Sequence, residues 1–185
     1  MRTATCKLKS ASPYSQSKYI NEKKTRDETH ADFEKRSWQQ RCHWGADGML
    51  QMPSMGFKNC LSEAAKYNAI QIPGKGKSTY TKHFEAGVLV VKPLVLSITR
   101  ETLGHEWLHV PSDGRRGGTT RVEKCFPLIL DWQGVVEFLV FDNIITNEVF
   151  ESHLNDAGAF IGVGRFRPRN NGYYGRFSVE SISWA

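Results

Sequence analysis

The segment from Gly162 to Phe177 sets Arg165, Arg167, Arg169 and Arg176 among four glycines and several aromatics, and it holds no acid. Glycine lets a backbone approach a phosphate closely and offers its N–H as a donor. Arginine adds a planar fork of donors matched to phosphate oxygens. Phe166, Tyr173 and Tyr174 are of the type that stacks on unpaired bases, so the interleaving predicts a grip on single-stranded nucleic acid. The competing reading is a tight β-hairpin with solvated arginines and aromatics turned into the core, where Phe177 is expected. Two further stretches share the character. Ile72 to Lys82 carries Lys75, Lys77 and Lys82 with no acid, and Pro111 to Arg121 carries Arg115, Arg116 and Arg121 against Asp113 alone. Each by itself reads as a solvated loop. Together the three stretches hold ten of the chain's 25 lysines and arginines, in loops rather than on helix faces, as a backbone-gripping protein requires.

Catalytic patterns are sparser. His105-Glu106-Trp107-Leu108-His109 matches H-E-x-x-H, which on a helix presents two zinc ligands and a general base on one face. Gly104 precedes it and Pro111 follows two residues after His109, so a long rigid helix is not expected there. No extension of the motif supplies a third ligand. The match reads as chance occurrence in a loop, with zinc hydrolysis a distant alternative. His30, Asp32 and Glu34 cluster in a polar stretch that is better explained as a solvated charged helix. His43 and His83 are unaccompanied by a nucleophile or oxyanion site, and Gly74-Lys75-Gly76-Lys77 lacks the spacing of a phosphate-binding P-loop. No catalytic residue, metal site or cofactor is therefore expected.

Composition narrows the class. Hydrophobic residues make up 39% and aromatics 11% of 185 residues, enough for one domain with a core and against wholesale disorder. The net charge of +6 favours an anionic partner. The opening Met1 to Lys7 carries no apolar run of the secretory kind, and no apolar stretch approaches the roughly 20 residues of a membrane helix, so an intracellular, cytoplasmic protein with no membrane partner is expected. The scattered cysteines Cys6, Cys42, Cys60 and Cys125 read as packed free thiols.

These groups need elements to hold them. Thr3 to Lys9 alternates as a strand, and Ser10 to about Arg41 is too hydrophilic for core, with a helix drawn over Asp27 to Cys42. A helix runs from Met55 to Tyr67, with Ser54 as N-cap and Phe57, Cys60, Leu61, Ala64 and Ala65 on one stripe. Gly87 to Ile98 is a strand bent at Pro93, and Thr99 to Thr120 is a mostly polar section. Strands over Arg121 to Asp131 and Gly134 to Phe141 meet at the turn Trp132-Gln133. A helix over Thr146 to Phe160 and a strand over Tyr174 to Ile182 close the order. That order predicts an α+β, ferredoxin-like (RRM-like) βαββαβ core with long insertions, at residues 10–46 and 99–120, in a single domain spanning 1–185.

A glycine-rich, arginine-bearing loop between the last helix and last strand of such a fold resembles the RAMP superfamily, the RNA-binding backbone and processing subunits of CRISPR effector complexes. The second point of likeness is Asp47-Gly48-Met49-Leu50-Gln51-Met52-Pro53-Ser54-Met55-Gly56-Phe57-Lys58-Asn59, similar to the family's short strand, proline and lysine-bearing helix start. The resemblance implies RNA contacts at Ser54, Lys58 and Asn59, and self-association along the strand. It makes Thr99 to Thr120 the thumb-like hairpin, and Asp32 the acid to test for RNA cleavage. The chain is shorter than most backbone subunits, which suits a solitary member such as one from a phage or other mobile element. The resulting expectation is a non-catalytic binder of single-stranded RNA or ssDNA through Ser54, Lys58, Asn59, Lys75, Lys77, Arg115, Arg116, Gly162, Gly164, Arg165, Arg167, Arg169, Tyr173 and Arg176. A nuclease is the second reading, and a protein that docks on another protein through its aromatic loops is the third.

Overall fold

The computed structural model describes residues 1–112 and 119–185. Strand β1 (Arg2–Ser10) alternates as expected: Ala4, Cys6 and Leu8 are fully buried while Lys7 and Lys9 face out. In chain order there follow α1 (His30–Ser37), β2 (His43–Trp44), β3 (Leu50–Met52), α2 (Ser54–Asn68), α3 (Thr81–Gly87), β4 (Val88–Val90), β5 (Leu94–Leu96), β6 (Gly104–Pro111), β7 (Arg121–Leu128), β8 (Gln133–Val140), α4 (Asn147–Asp156) and β9 (Phe177–Trp184).

Four strands form an antiparallel sheet in the order β4-β8-β1-β9. Taken with the helices between them, β1-α2-β4 and β8-α4-β9 are two split βαβ units, so the α+β, ferredoxin-like arrangement is present. α2 buries the stripe Phe57, Cys60, Leu61, Ala64 and Ala65, and α4 buries Phe150, His153 and Leu154. The Thr146 side chain accepts from Val149 N and caps α4. α2 begins differently from expectation. Pro53 is its N-cap and Ser54 its first helical residue, without a side-chain capping bond.

The insertions carry most of the departures. The stretch judged too hydrophilic for core buries Tyr14, Ser15, Gln16, Glu34 and Ser37. Its polar groups go inside because each finds a partner. Gln16 donates to Gln51 O at 2.7 Å and accepts from His43 N at 2.8 Å, and both Glu34 oxygens accept from Arg41 at 2.8 Å. The helix drawn over Asp27 to Cys42 is α1 followed by a 3-10 turn, Trp38–Arg41.

The strand drawn over Gly87 to Ile98 divides at Pro93, which has no N–H to give a ladder. β4 joins the four-stranded sheet and β5 a small sheet ordered β2-β3-β5. Gly87 itself ends α3, a short helix whose first two residues, Thr81 and Lys82, fall in the stretch expected as a loop. β7 does not turn back on β8 at Trp132-Gln133. It pairs with β6 over eight residues, His105 opposite Pro127 and Pro111 opposite Arg121. The section read as mostly polar thus contains half of a long hairpin. All four cysteines are free and buried, as expected. Among the described residues no helix is long and apolar enough to cross a membrane.

Candidate nucleic-acid interface

The loop after α4 folds back on residues 13–15. Val163 N donates to Gly175 O at 2.9 Å, Gly175 N to Pro13 O at 2.7 Å, and Arg165 N to Ser15 O at 2.9 Å. Gly175 has φ 82° and Gly164 φ 84°, left-handed conformations that favour glycine. A Cβ at Gly175 would overlap the Val163 carbonyl oxygen, and one at Gly164 the Tyr14 ring. These glycines are therefore needed for close packing of the loop on itself and on its neighbour. Gly162 N donates to Ala157 O at 2.8 Å, so the amides of Gly162 and Gly175 are engaged within the protein.

The four arginines have partners too. Arg165 lies between the rings of Phe126 (3.9 Å to the centroid) and Tyr174 (4.8 Å), pairs with Glu106 at 2.7 Å and donates to Ser15 Oγ at 3.0 Å. Tyr174 donates its hydroxyl to the same Glu106 oxygen at 2.6 Å. Burial, and then that bond to the carboxylate, raise the Tyr174 pKa. Arg167 and Arg169 share Glu63 of α2 at 2.7 and 3.3 Å, and Arg176 donates to Ala159 O at 3.1 Å. The arginine side chains differ in exposure: 13% for Arg165, 23% for Arg167 and 46% for Arg169. Arg165 acts as the rivet that fastens the loop to the hairpin, and Arg169 is the most accessible of the three.

Beside Arg169, the loop offers aromatic surface to solvent. Tyr173 is 59% exposed, whereas Tyr174 is buried with Phe177. Phe166 is 49% exposed and has φ 45°, a conformation rare for a bulky side chain and often found at binding sites. It lines a cleft of about 610 Å³ between the loop and the hairpin. Leu108, Val110 and Phe126 supply its apolar wall, and Arg121 and Lys124 line it with Arg41 and Arg165, which already pair with Glu34 and Glu106. Lys124 escaped the sequence reading. Alternation along Leu108-His109-Val110 opposite Val122-Glu123-Lys124 was the signal that could have revealed it.

The other candidates disperse. Lys58 donates to Glu85 O at 2.8 Å and, with the exposed Asn59, lines a second cleft of about 560 Å³ beside Arg169. Ser54 stands at the start of α2. The two segments that carry the family resemblance do meet: Pro53, Gly56 and Phe57 of the helix start share a cavity of about 240 Å³ with Val163, Gly164 and Arg165. His43 and Lys18 also line it. Burial, with a smaller contribution from Lys18, lowers the His43 pKa. Lys75 and Lys77 are exposed on a separate loop. Arg115 and Arg116 lie outside the described residues.

The H-E-x-x-H match lies on β6, neither helix nor loop. In a strand, residues four apart stand about 13 Å from each other and the residue after the first faces the opposite side. His105 packs on Trp38 at 4.9 Å and His109 contacts Glu123 at 3.4 Å, while Glu106 faces Arg165. These residues do not fit a zinc centre, and among the described residues no group of three His, Cys, Asp or Glu could hold a metal ion. Asp32 is exposed in the first turn of α1, where its carboxylate accepts from Thr29 Oγ1 at 2.6 Å.

No family model and no curated protein sequence matches the chain. Among the solved structures similar to it are the following two. One, titled crystal structure of Cmr6 from Pyrococcus furiosus, is 14% identical, with 97% of this chain and 99% of that chain covered and a TM-score of 0.49. The other, titled CRISPR RNA-guided surveillance complex, is 5% identical, with 98% of this chain and 68% of that chain covered and a TM-score of 0.42.

Proposed function

We propose that the chain binds single-stranded nucleic acid, without cleaving it, in the cleft between the arginine-bearing loop and the β6–β7 hairpin. The observation that carries this reading is Phe166. A bulky ring is held out to solvent from a left-handed backbone position, facing an apolar wall with Arg121 and Lys124 beside it. A base would stack on Phe166 against Leu108 and Val110, and the phosphates flanking it would meet the two cations. Arg165 holds the loop at the right distance from the hairpin, in place of gripping phosphate itself. RNA is put ahead of DNA on the resemblance of the loop and the helix start to the RAMP superfamily.

Fluorescence anisotropy with labelled RNA and DNA of about 30 nucleotides, at about 50 and 200 mM salt, tests this reading. Contact with three or four phosphates gives a slope of log affinity against log salt of about −2 to −3. Phe166→Ala is expected to weaken binding about 5- to 160-fold, the ~1–3 kcal/mol of one stacked base. Lys124→Ala with Arg121→Ala is expected to flatten the salt slope. Unchanged affinity in both variants sinks the site.

A further inference from the structure

Tyr67, near the end of α2, and Phe160, in the turn after α4, lie ring on ring with centroids 6.1 Å apart and planes 30° apart. Each is 53% exposed. Aromatics that serve the core of this protein are buried almost completely, as Phe57, Phe84, Phe138 and Phe150 are. On regular α-helical spacing Phe160 would fall two turns after His153, on the stripe that packs inward. It does not, because residues Ala157–Ile161 form a π-helical turn, closed by Gly162 N donating to Ala157 O. Such turns are rare and frequent at functional sites. Gly158 seats this one against β9, where a Cβ would overlap the Phe177 carbonyl oxygen. Backbone regularity is given up here and an aromatic ring is left in water.

The surroundings say what the ring pair suits. The Arg169 guanidinium lies 5.6 Å from the Tyr67 centroid, Lys66 is exposed next to it, and Lys58 lines the same cleft of about 560 Å³. Of the two acids there, Glu63 already pairs with Arg167 and Arg169. A planar hydrophobic surface flanked by cations matches an unpaired base and its phosphates. The place is also continuous with the hairpin cleft. In the 3-10 turn Pro168–Asn170, Asn170 lines the hairpin cleft and its neighbour Arg169 lines this one.

We propose that Tyr67 and Phe160 form a second base-stacking platform, onto which the same single strand passes from the hairpin cleft over the Pro168–Asn170 turn. This inference rests on the nucleic-acid reading of that cleft. It makes the platform a contact that long strands reach and short ones do not.

The test compares the wild type, a Tyr67→Ala/Phe160→Ala variant and Phe160→Trp, using labelled RNA of about 5 and about 30 nucleotides. The double variant is expected to bind the longer RNA about 5- to 160-fold more weakly, by the stacking it loses, and the shorter RNA as the wild type does. Phe160→Trp is expected to bind the longer RNA at least as well, with its indole fluorescence quenched on binding. Unchanged affinity of the double variant for the longer RNA, while Phe166→Ala still weakens it, overturns the platform and leaves the hairpin-cleft reading standing. Equal weakening on both lengths also overturns it, since the loss would then come from the fold. A wild type that binds neither RNA overturns both proposals. Protection of the platform only by a protein partner would assign it to protein docking and overturn it likewise.

Discussion

Glu106 accepts from two donors at one oxygen, Arg165 and Tyr174, and the guanidinium it holds is inserted between two rings. Removing its charge leaves Arg165 enclosed without a counter-ion, which costs more than the net worth of an exposed pair. Both groups keep some solvent contact, so the cost falls below that of a fully buried pair. Glu106→Gln is expected to destabilise the fold by about 1–3 kcal/mol, read as a lower urea midpoint at unchanged m-value. Were Arg165 a solvated phosphate contact, that substitution would leave the midpoint where it is. The same residue shows how a motif misleads: Glu106 is the glutamate of H-E-x-x-H by letters and a loop fastener by geometry.

At the scale of elements, the loop from Gly162 to Arg176 works as a built part between α2 and the hairpin. Glu63 anchors it on one side and Glu106 on the other. Its shape depends on left-handed residues packed backbone to backbone, above all Gly175 against Val163. Gly175→Ala adds both strain and overlap, and it is expected to cost about 3 kcal/mol or more. Hydrogen exchange should show the loss of protection concentrated in residues 162–176. Uniform loss across the sheet would mean that the loop is not a separate structural unit. The hairpin is the other device. Its strands alternate so that Leu108 and Val110 reach the cleft while His105 turns towards Trp38.

For the whole molecule, one buried group couples stability to acidity. His153 is 1% exposed, stacked on Phe84 at 4.6 Å, with Nδ1 donating to Val149 O at 2.7 Å. Burial outweighs that bond and the nearby Asp156, and it lowers the His153 pKa below its ordinary 6.5. The unfolded chain takes up a proton at about pH 6.5 that the folded protein refuses. Stability contributed by neutral His153 is therefore complete above pH 6.5 and declines as pH falls below it, until the folded-state value is reached. His43 is lowered by burial as well and adds in the same direction. Denaturant midpoints at about pH 7.5 and 5.5 should fall with pH in the wild type and less steeply in His153→Phe. An identical slope in the variant would remove His153 from this role.

Much was legible along the chain because it depends on local period and composition. Alternation in β1, the apolar stripe of α2 and the order of strands and helices specify an α+β, ferredoxin-like sheet from the sequence alone. The basic, aromatic character of the last loop is likewise a property of its residues. Partnership is not local. Arg165 meets Glu106, 59 positions away, and Arg169 meets Glu63 on a helix more than a hundred residues earlier. Ion pairing acts over a few ångströms and ignores separation along the chain, so only the tertiary structure decided which charges are spent inside. It also decided that Pro93 divides a strand between two sheets and that a metal-like motif lies on a hairpin. The π-helical turn that holds Phe160 in solvent belongs here too, because it answers to packing against β9, which no helical period records.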